Sequence, residues 1–139
     1  DLSKLYKYEG SAFVVFSRAF VEHTACSDET TALTTGTAKM TFRTSQAFTL
    51  TSVRGSLSTA QTGSGGGGIV TIDINKNGTT VLSTKLTIDN GEKTSVTAAT
   101  PAVISVATFA DDDEITVDID VIGDGTARGL KVKLYGLPL

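Results

Sequence analysis

The stretch that decides the fold is residues 69–88, IVTIDINKNGTTVLSTKLTI, in which two alternating segments flank a central turn. Before the turn, the aliphatic residues Val70, Ile72 and Ile74 alternate with polar ones. Successive side chains of a strand point to opposite faces, so this alternation predicts a strand with one buried face. The pair Asn77-Gly78 is a strong sequence signal for a tight hairpin turn. After it, the residues returning to the same face are Leu82, Leu86 and Ile88, joined by Thr84.

The rest of the chain repeats this pattern of short alternating segments between turn residues. Strands are predicted at residues 12–21, 37–43, 46–59, 101–106, 115–122 and 130–134, with turns at 89–91, 111–114 and 123–129. In residues 115–122, the alternation places Ile115, Val117, Ile119 and Val121 on one face. Threonine, valine and isoleucine are abundant, and they suit a pleated surface.

One predicted strand has a fault in its alternation. In residues 46–59, Phe48 and Leu50 fall on one face, whereas Val53 and Leu57 fall on the other. A β-bulge inserts one extra residue and reverses the side-chain phase beyond it. We therefore expect a bulge near residues 51–52, which would bring all four apolar side chains to the core.

These segments predict an all-β fold, an antiparallel β-sandwich of about eight strands and of jelly-roll type. Residues 25–139 are expected to form the sandwich domain. Residues 1–24 are expected to form an N-terminal arm plus an apolar anchoring strand at residues 12–21. That strand is apolar on both faces, which is typical of a central strand or a subunit interface. A helix is the alternative, because Phe13, Phe16 and Phe20 also fit helical spacing.

Composition excludes several classes of function. The net charge of the 139 residues is −3 without a basic block, so no nucleic-acid partner is expected. No segment approaches the roughly 18 apolar residues of a membrane span, so no membrane insertion is expected. A single cysteine excludes an intrachain disulfide and a cysteine-rich metal cluster.

The sequence offers no catalytic, cofactor-binding or metal-binding set. The only histidine, His23, lies three residues before Cys26, and neither belongs to a known catalytic motif. The glycines at residues 65–68 lack the Lys-Ser/Thr ending and the following helix of a phosphate-binding loop. The chain is therefore predicted not to be an enzyme and to need no cofactor.

The acidic residues admit two interpretations. Asp111, Asp112, Asp113 and Glu114 are contiguous, and alternating strand geometry would send neighbours to opposite sides. A solvated acidic turn that protects a sheet edge is favoured over a calcium site. Asp118 and Asp120 are expected to share an exposed face, and Asp73 is expected to be exposed on its own strand.

Five segments carry a resemblance to a known family. They are TAKMTFR (37–43), AFTLTSVRGSLSTAQTGS (47–64), VTIDINKNGTTVLSTKLTIDNGEKTS (70–95), ADDDEITVDIDVIG (110–123) and GLKVKLYG (129–136). In order and turns they resemble a β-domain that recurs in structural proteins of tailed bacteriophages, in tail-fibre-like and other virion surface proteins. The resemblance covers residues 25–136. It implies a non-enzymatic virion module assembled as a homo-oligomer, with a trimer expected, and it transfers no catalytic residue.

Three functions follow as competing hypotheses. The first is a fibre or spike module on the phage particle surface that contacts the host. The second is a capsid cement or decoration protein whose N-terminal arm lies across capsomer joints. The third is a carbohydrate-binding module, since the predicted outward threonine, serine, asparagine and aspartate side chains can hydrogen-bond sugars. Exposed aromatics for sugar stacking are few, because the chain has no tryptophan and only 3 tyrosines. The expected partners are therefore further copies of this chain, other virion proteins and a host surface glycan or receptor.

Overall fold

The computed structural model describes residues 4–9, 12–17, 19–63 and 68–139, and gives the backbone alone for the first two ranges. Thirteen strands are formed within these residues. They are β1 Lys4–Glu9, β2 Ala12–Ser17, β3 Phe20–Ala25, β4 Gly36–Arg43, β5 Phe48–Ser56, β6 Val70–Lys76, β7 Thr79–Thr80, β8 Leu82–Thr84, β9 Leu86–Ile88, β10 Val103–Ile104, β11 Thr108–Phe109, β12 Glu114–Ile122 and β13 Lys131–Pro138. The helical content of the described residues is one 3₁₀ turn, Ser95–Thr97. None of their helices has the length and apolar character that crossing a bilayer requires.

Two antiparallel sheets face each other across one apolar core. The first sheet has the strand order β11-β5-β13-β3, and the second has β4-β12-β6 with β7 and β9 both paired to β6. The sheets meet near Gly55, where an added Cβ would lie 3.3 Å from Leu86 Cδ2 and 3.7 Å from Ile72 Cδ1. The largest fully buried apolar side chains come from both sheets and from the adjoining Leu130: Phe48, Phe109, Ile72, Ile74, Leu86, Ile88, Ile115, Ile119, Leu130 and Leu134.

The predicted all-β class is therefore confirmed, and the facing sheets are those of a sandwich. Strands β3 to β6 alternate between the two sheets along the chain, and so do β11 to β13. This alternation is compatible with the predicted jelly roll, in which two Greek keys wrap around one core. The jelly-roll class itself stays a prediction.

The predicted hairpin is present, but its returning strand is interrupted. Asn77 and Gly78 have φ values of 48° and 81°, the positive values that a type I′ turn requires at both central residues. Asn75 pairs with Thr80, whereas Ile72 pairs with Leu86. The returning chain therefore contains three residues more than an unbroken ladder needs. The extra length lets β8 leave the sheet and pair with β10. Leu82, Leu86 and Ile88 are buried as predicted, and Thr84 is half-buried.

The bulge predicted in the second long strand is confirmed. Tyr135 of β13 pairs with Ser52, but the next residue, Gly136, pairs with Leu50, so Thr51 is the extra residue. Beyond the bulge, Val53 packs against the core and Leu57 is buried.

A second irregularity, in β12, was not predicted. Ile119 pairs with Ile72, but Val121 pairs with the adjacent Thr71, which leaves Asp120 as an extra residue. The side-chain phase reverses there, so Val121 is 45% exposed and Ile122 packs against the core. The prediction that Val121 shares the face of Ile119 is therefore wrong.

The N-terminal region also differs from the prediction. Residues 12–21 are not one strand: β2 pairs with β1 in a hairpin, and β3 begins at Phe20 and pairs with β13. The segment predicted as an N-terminal arm thus contains strand β1. The predicted boundary after residue 24 falls inside β3, which belongs to the first sheet. Residues 12–21 were predicted to be apolar on both faces. The side chains of residues 12–18 lie outside the described part of the chain, so this prediction stays a prediction. Residues 64–67 of the predicted glycine loop lie outside the described part as well.

An aromatic stack fills one end of the core beside a glycine. The ring of Phe48 lies parallel to that of Phe109 at 4.7 Å and meets the ring of Phe20 edge-on at 4.8 Å. A Cβ on Gly136 would lie 2.5 Å from Phe48 Cδ2 and 2.9 Å from Phe20 Cε1. Position 136 therefore has room only for glycine while the rings keep these positions.

We predict that Gly136→Ala lowers the free energy of unfolding by about 1–3 kcal/mol, because stacked rings cannot yield to the new methyl group. Gly55→Ala is the matched control, since its Cβ would meet flexible aliphatic ends at 3.3 Å. Its loss is expected to stay below about 1 kcal/mol. Urea denaturation measures the free energy of unfolding of both variants, compared at the same m-value. Equal losses of stability in the two variants would contradict the prediction.

Candidate functional site

His23 and Cys26 do not form a catalytic pair in the structure. His23 is exposed on β3, and its backbone pairs with Lys133. Cys26 is buried at 5% exposure, and burial raises the pKa of its thiol to about 12, against a smaller lowering by a hydrogen bond with the Val132 backbone. A thiol with this pKa is protonated at neutral pH and is a poor nucleophile. Cys26 therefore serves as a core residue.

The acidic turn ties two turns of the second sheet together. Asp113 accepts hydrogen bonds from the Ala110 backbone N–H and from Asn77 Nδ2, both at 2.7 Å. The Asn77 side-chain oxygen in turn accepts from the Glu114 backbone N–H at 2.9 Å. The bond from Ala110, followed by the Asn77 amide, holds the pKa of Asp113 below its usual range. The hairpin turn between β6 and β7 is thereby attached to the turn that precedes β12.

The remaining charges of this turn lie at the surface. Arg43 Nη1 lies 3.6 Å from Asp112 and Arg43 Nη2 lies 3.5 Å from Glu114, with all three side chains at least 44% exposed. Exposed ion pairs of this kind contribute between about 0 and 1 kcal/mol. Within residues 19–63 and 68–139, no three histidine, cysteine or carboxylate side chains are placed to hold a metal ion.

Asp73 is buried, in contrast to its predicted exposure. Its side chain is only 9% exposed and accepts a 2.6 Å hydrogen bond from Thr80 Oγ1. Lys85 Nζ lies 3.2 Å from Asp73 Oδ2 and 2.6 Å from Asp120 Oδ2. The Asp120 hydrogen bond raises the pKa of Lys85, and Asp73 adds to the increase. Asp73 is covered because the returning chain bends away between β7 and β9 and brings Lys85 over it.

The side chain of Asp118, on β12, bonds to a backbone irregularity in the neighbouring strand β4. Val117 pairs with Met40, but Ile119 pairs with Gly36, so the ladder is interrupted between them. Ala38 lies in this gap with a φ of 48°, and its N–H donates a 2.7 Å hydrogen bond to Asp118 Oδ1. The carboxylate thus accepts from an amide that the ladder leaves unpaired. Its position opposite the bulge accounts for an aspartate in the middle of a strand.

A groove that was not predicted lies along the edge of β5, between this strand and residues 95–104. Its volume is about 520 Å³, and it is lined by residues 51–54 of β5 together with Leu86, Ser95, Val96 and residues 101–104. A smaller pocket of about 140 Å³ continues from it past Arg54 to Lys133 and Tyr135. Arg54 lies on β5, whereas Lys133 and Tyr135 lie on β13. That they are neighbours depends on β5 and β13 being adjacent, which the alternation does not reveal.

Comparison of the chain with protein-family models, with curated proteins and with solved structures found no match. Function is therefore proposed from the segments of the sequence and from the geometry of the described residues.

We predict that Asp113→Ala lowers the free energy of unfolding by about 1–2 kcal/mol at pH 7, because the hydrogen bond from Asn77 that joins the two turns and the one from Ala110 within the acidic turn are both lost. The native pKa of Asp113 is lowered, so its contribution is complete above the unfolded aspartate value of about 4 and declines as the pH falls below it. The difference between variant and wild type should therefore shrink between about pH 4 and pH 2.

Asp111→Ala is the matched control for this experiment, because Asp111 is an exposed neighbour in the same turn. It should change the free energy of unfolding by less than about 0.5 kcal/mol. Urea denaturation at several pH values measures both variants. If the stability difference between Asp113→Ala and the wild type stayed constant down to pH 2, the ionised Asp113 carboxylate would not be the source of that stability.

Proposed function

We propose that this chain is a non-enzymatic structural module on the surface of a tailed-phage particle, in a fibre-like or spike-like component that contacts the host. One observation carries the proposal: the five segments of the sequence resemblance to phage virion domains overlap the long strands of both facing sheets, β4, β5, β6, β12 and β13. The resemblance therefore extends over the core-forming part of the chain.

The use of the acidic residues supports a structural role. Asp113 ties two turns, Asp118 accepts from a bulged amide, and Asp73 and Asp120 share one lysine. Each of these carboxylates is engaged in holding the sandwich together. A protein that must persist outside a cell gains from such fastened turns and edges, since these are the parts of a sheet that open first.

The N-terminal hairpin gives the second candidate, a capsid cement or decoration protein, its specific support. In the described strand pairings, β1 pairs with β2, and the sandwich sheets contain neither strand. A two-stranded hairpin is marginally stable in water at best, so it needs a further surface to pack on. An arm of this kind is suited to crossing a joint between capsid subunits.

Localisation on the particle tests the proposal and separates its two forms. Antibodies against the purified chain, detected by gold labelling on phage particles, should mark the tail if the fibre form is correct. Labelling of the head lattice would replace the fibre form by the decoration form. A chain found in infected cells but absent from washed particles would contradict both.

We predict that the full chain is a homo-oligomer at micromolar concentration, because the N-terminal hairpin needs a surface that a neighbouring copy can provide. Light scattering should give a mass near three times the 14.4 kDa of one chain. A shortened chain that begins at residue 19 retains β3 to β13 and is expected to be a folded monomer. A monomeric mass for the full chain would rule out self-assembly through this region.

A further inference from the structure

The outer face of the first sheet carries positive charge. Lys133 of β13 is paired in register with His23 of β3 on one side and with Arg54 of β5 on the other. The three side chains form one row across the sheet, and strand spacing makes this row about 10 Å long. The other outward residues described on these strands and β11 are Val21, Ala25, Thr49, Thr51, Ser52, Ser56, Thr108, Lys131, Tyr135 and Leu137. None of them is a carboxylate, although the whole chain has a net charge of −3.

The row is not neutralised by the described residues. Lys131, one position along, has Glu29 as its partner, but the ion pairs of the described chain include neither Arg54 nor Lys133. Like charges directly opposite each other on neighbouring strands are destabilising. An anion bound between Arg54 and Lys133 would relieve this repulsion.

Arg54 is held in an orientation suited to an oxyanion. Its guanidinium carbon lies 5.0 Å from the centre of the Tyr135 ring. A cation–π contact of this kind restricts a long side chain that would otherwise sample many rotamers. The planar guanidinium presents two parallel N–H donors that match the two oxygens of a carboxylate.

The walls beside Arg54 have the mixed character that a sugar ring requires. Ser52 lines the groove, and Ser56 and Thr94 line the smaller pocket, so hydroxyl groups are present on both sides of Arg54. The groove also exposes aliphatic surface, with Val96 62% and Val103 49% exposed. Hydroxyls can bond sugar hydroxyls, and aliphatic side chains can contact the apolar face of a sugar ring.

From these observations we propose that the smaller pocket beside Arg54, together with the groove that adjoins it, binds a carboxylate-bearing saccharide. Arg54 holds the carboxylate through paired hydrogen bonds, Lys133 adds a second charge, and the sugar ring lies against Val96. A row of about 10 Å accommodates one or two acidic groups, whereas a nucleic-acid backbone requires a longer basic track. The biological role of this site rests on the proposed host-contacting function. The binding itself is a property of the purified chain and does not depend on that proposal.

The test uses the purified full chain in calorimetric titration with oligogalacturonate, with neutral dextran oligomers of equal length as the comparison. The chain should bind oligogalacturonate and not dextran. Arg54→Gln and Lys133→Gln should each weaken binding at least about tenfold, the effect of losing one charged hydrogen bond. Arg43→Gln removes the same charge from the other sheet and should leave the affinity unchanged within about twofold.

Two further ligands make the result decisive. Dextran sulfate and duplex DNA of matched charge are titrated under the same salt conditions, and both should bind more weakly than oligogalacturonate. Equal or tighter binding of either polyanion would overturn the assignment to a carboxylate-bearing sugar. Absence of oligogalacturonate binding, or equal losses in Arg43→Gln and Arg54→Gln, would overturn the site itself. These titrations use the purified chain without phage particles. Their outcome therefore does not decide the virion proposal, which is tested separately by localisation on the particle.

Discussion

Burial of one apolar layer between two sheets is the constraint on which the rest of this structure depends. A strand can keep a face in that layer over its whole length only if its sequence alternates without fault. The sequence of β5 does not alternate in this way, and the strand contains one extra residue, Thr51. Strand β12 also contains an extra residue, Asp120, although its apolar residues alternate without fault from Ile115 to Val121. In β5, the extra residue brings Val53 to the core side, from which an unbroken alternation would exclude it. In β12, the extra residue places Ile122 instead of Val121 on the core side.

Two other departures of the second sheet from regular pairing, in β4 and between β7 and β9, are each accompanied by a bond to an aspartate. The interrupted β4 ladder leaves the Ala38 amide for Asp118, and the excursion between β7 and β9 brings Lys85 to Asp73. Buried or partly buried polar groups are costly unless they are paired. The positions of Asp73 and Asp118 are therefore consequences of the backbone path.

How much of this could be read from the sequence depends on the range of the interaction. The turn at Asn77-Gly78 and the bulge at Thr51 were predictable, because each is marked by residues next to it. The reversal at Asp120 was not, since Val121 and Ile122 are both aliphatic and either could face the core. Strand order was also out of reach. It decides that Arg54 and Lys133 are neighbours, yet they lie 79 positions apart in the chain.

The proposed binding groove and the packing of the core have a common origin. Without the extra residue at Thr51, Arg54 would have the same phase as Phe48 and Leu50 and would point between the sheets. The bulge turns Val53 inward and Arg54 outward in one step. Bulges commonly re-aim side chains near functional sites. In this chain, the device that completes the core is thus also the one that brings a guanidinium over Tyr135 on the outer face.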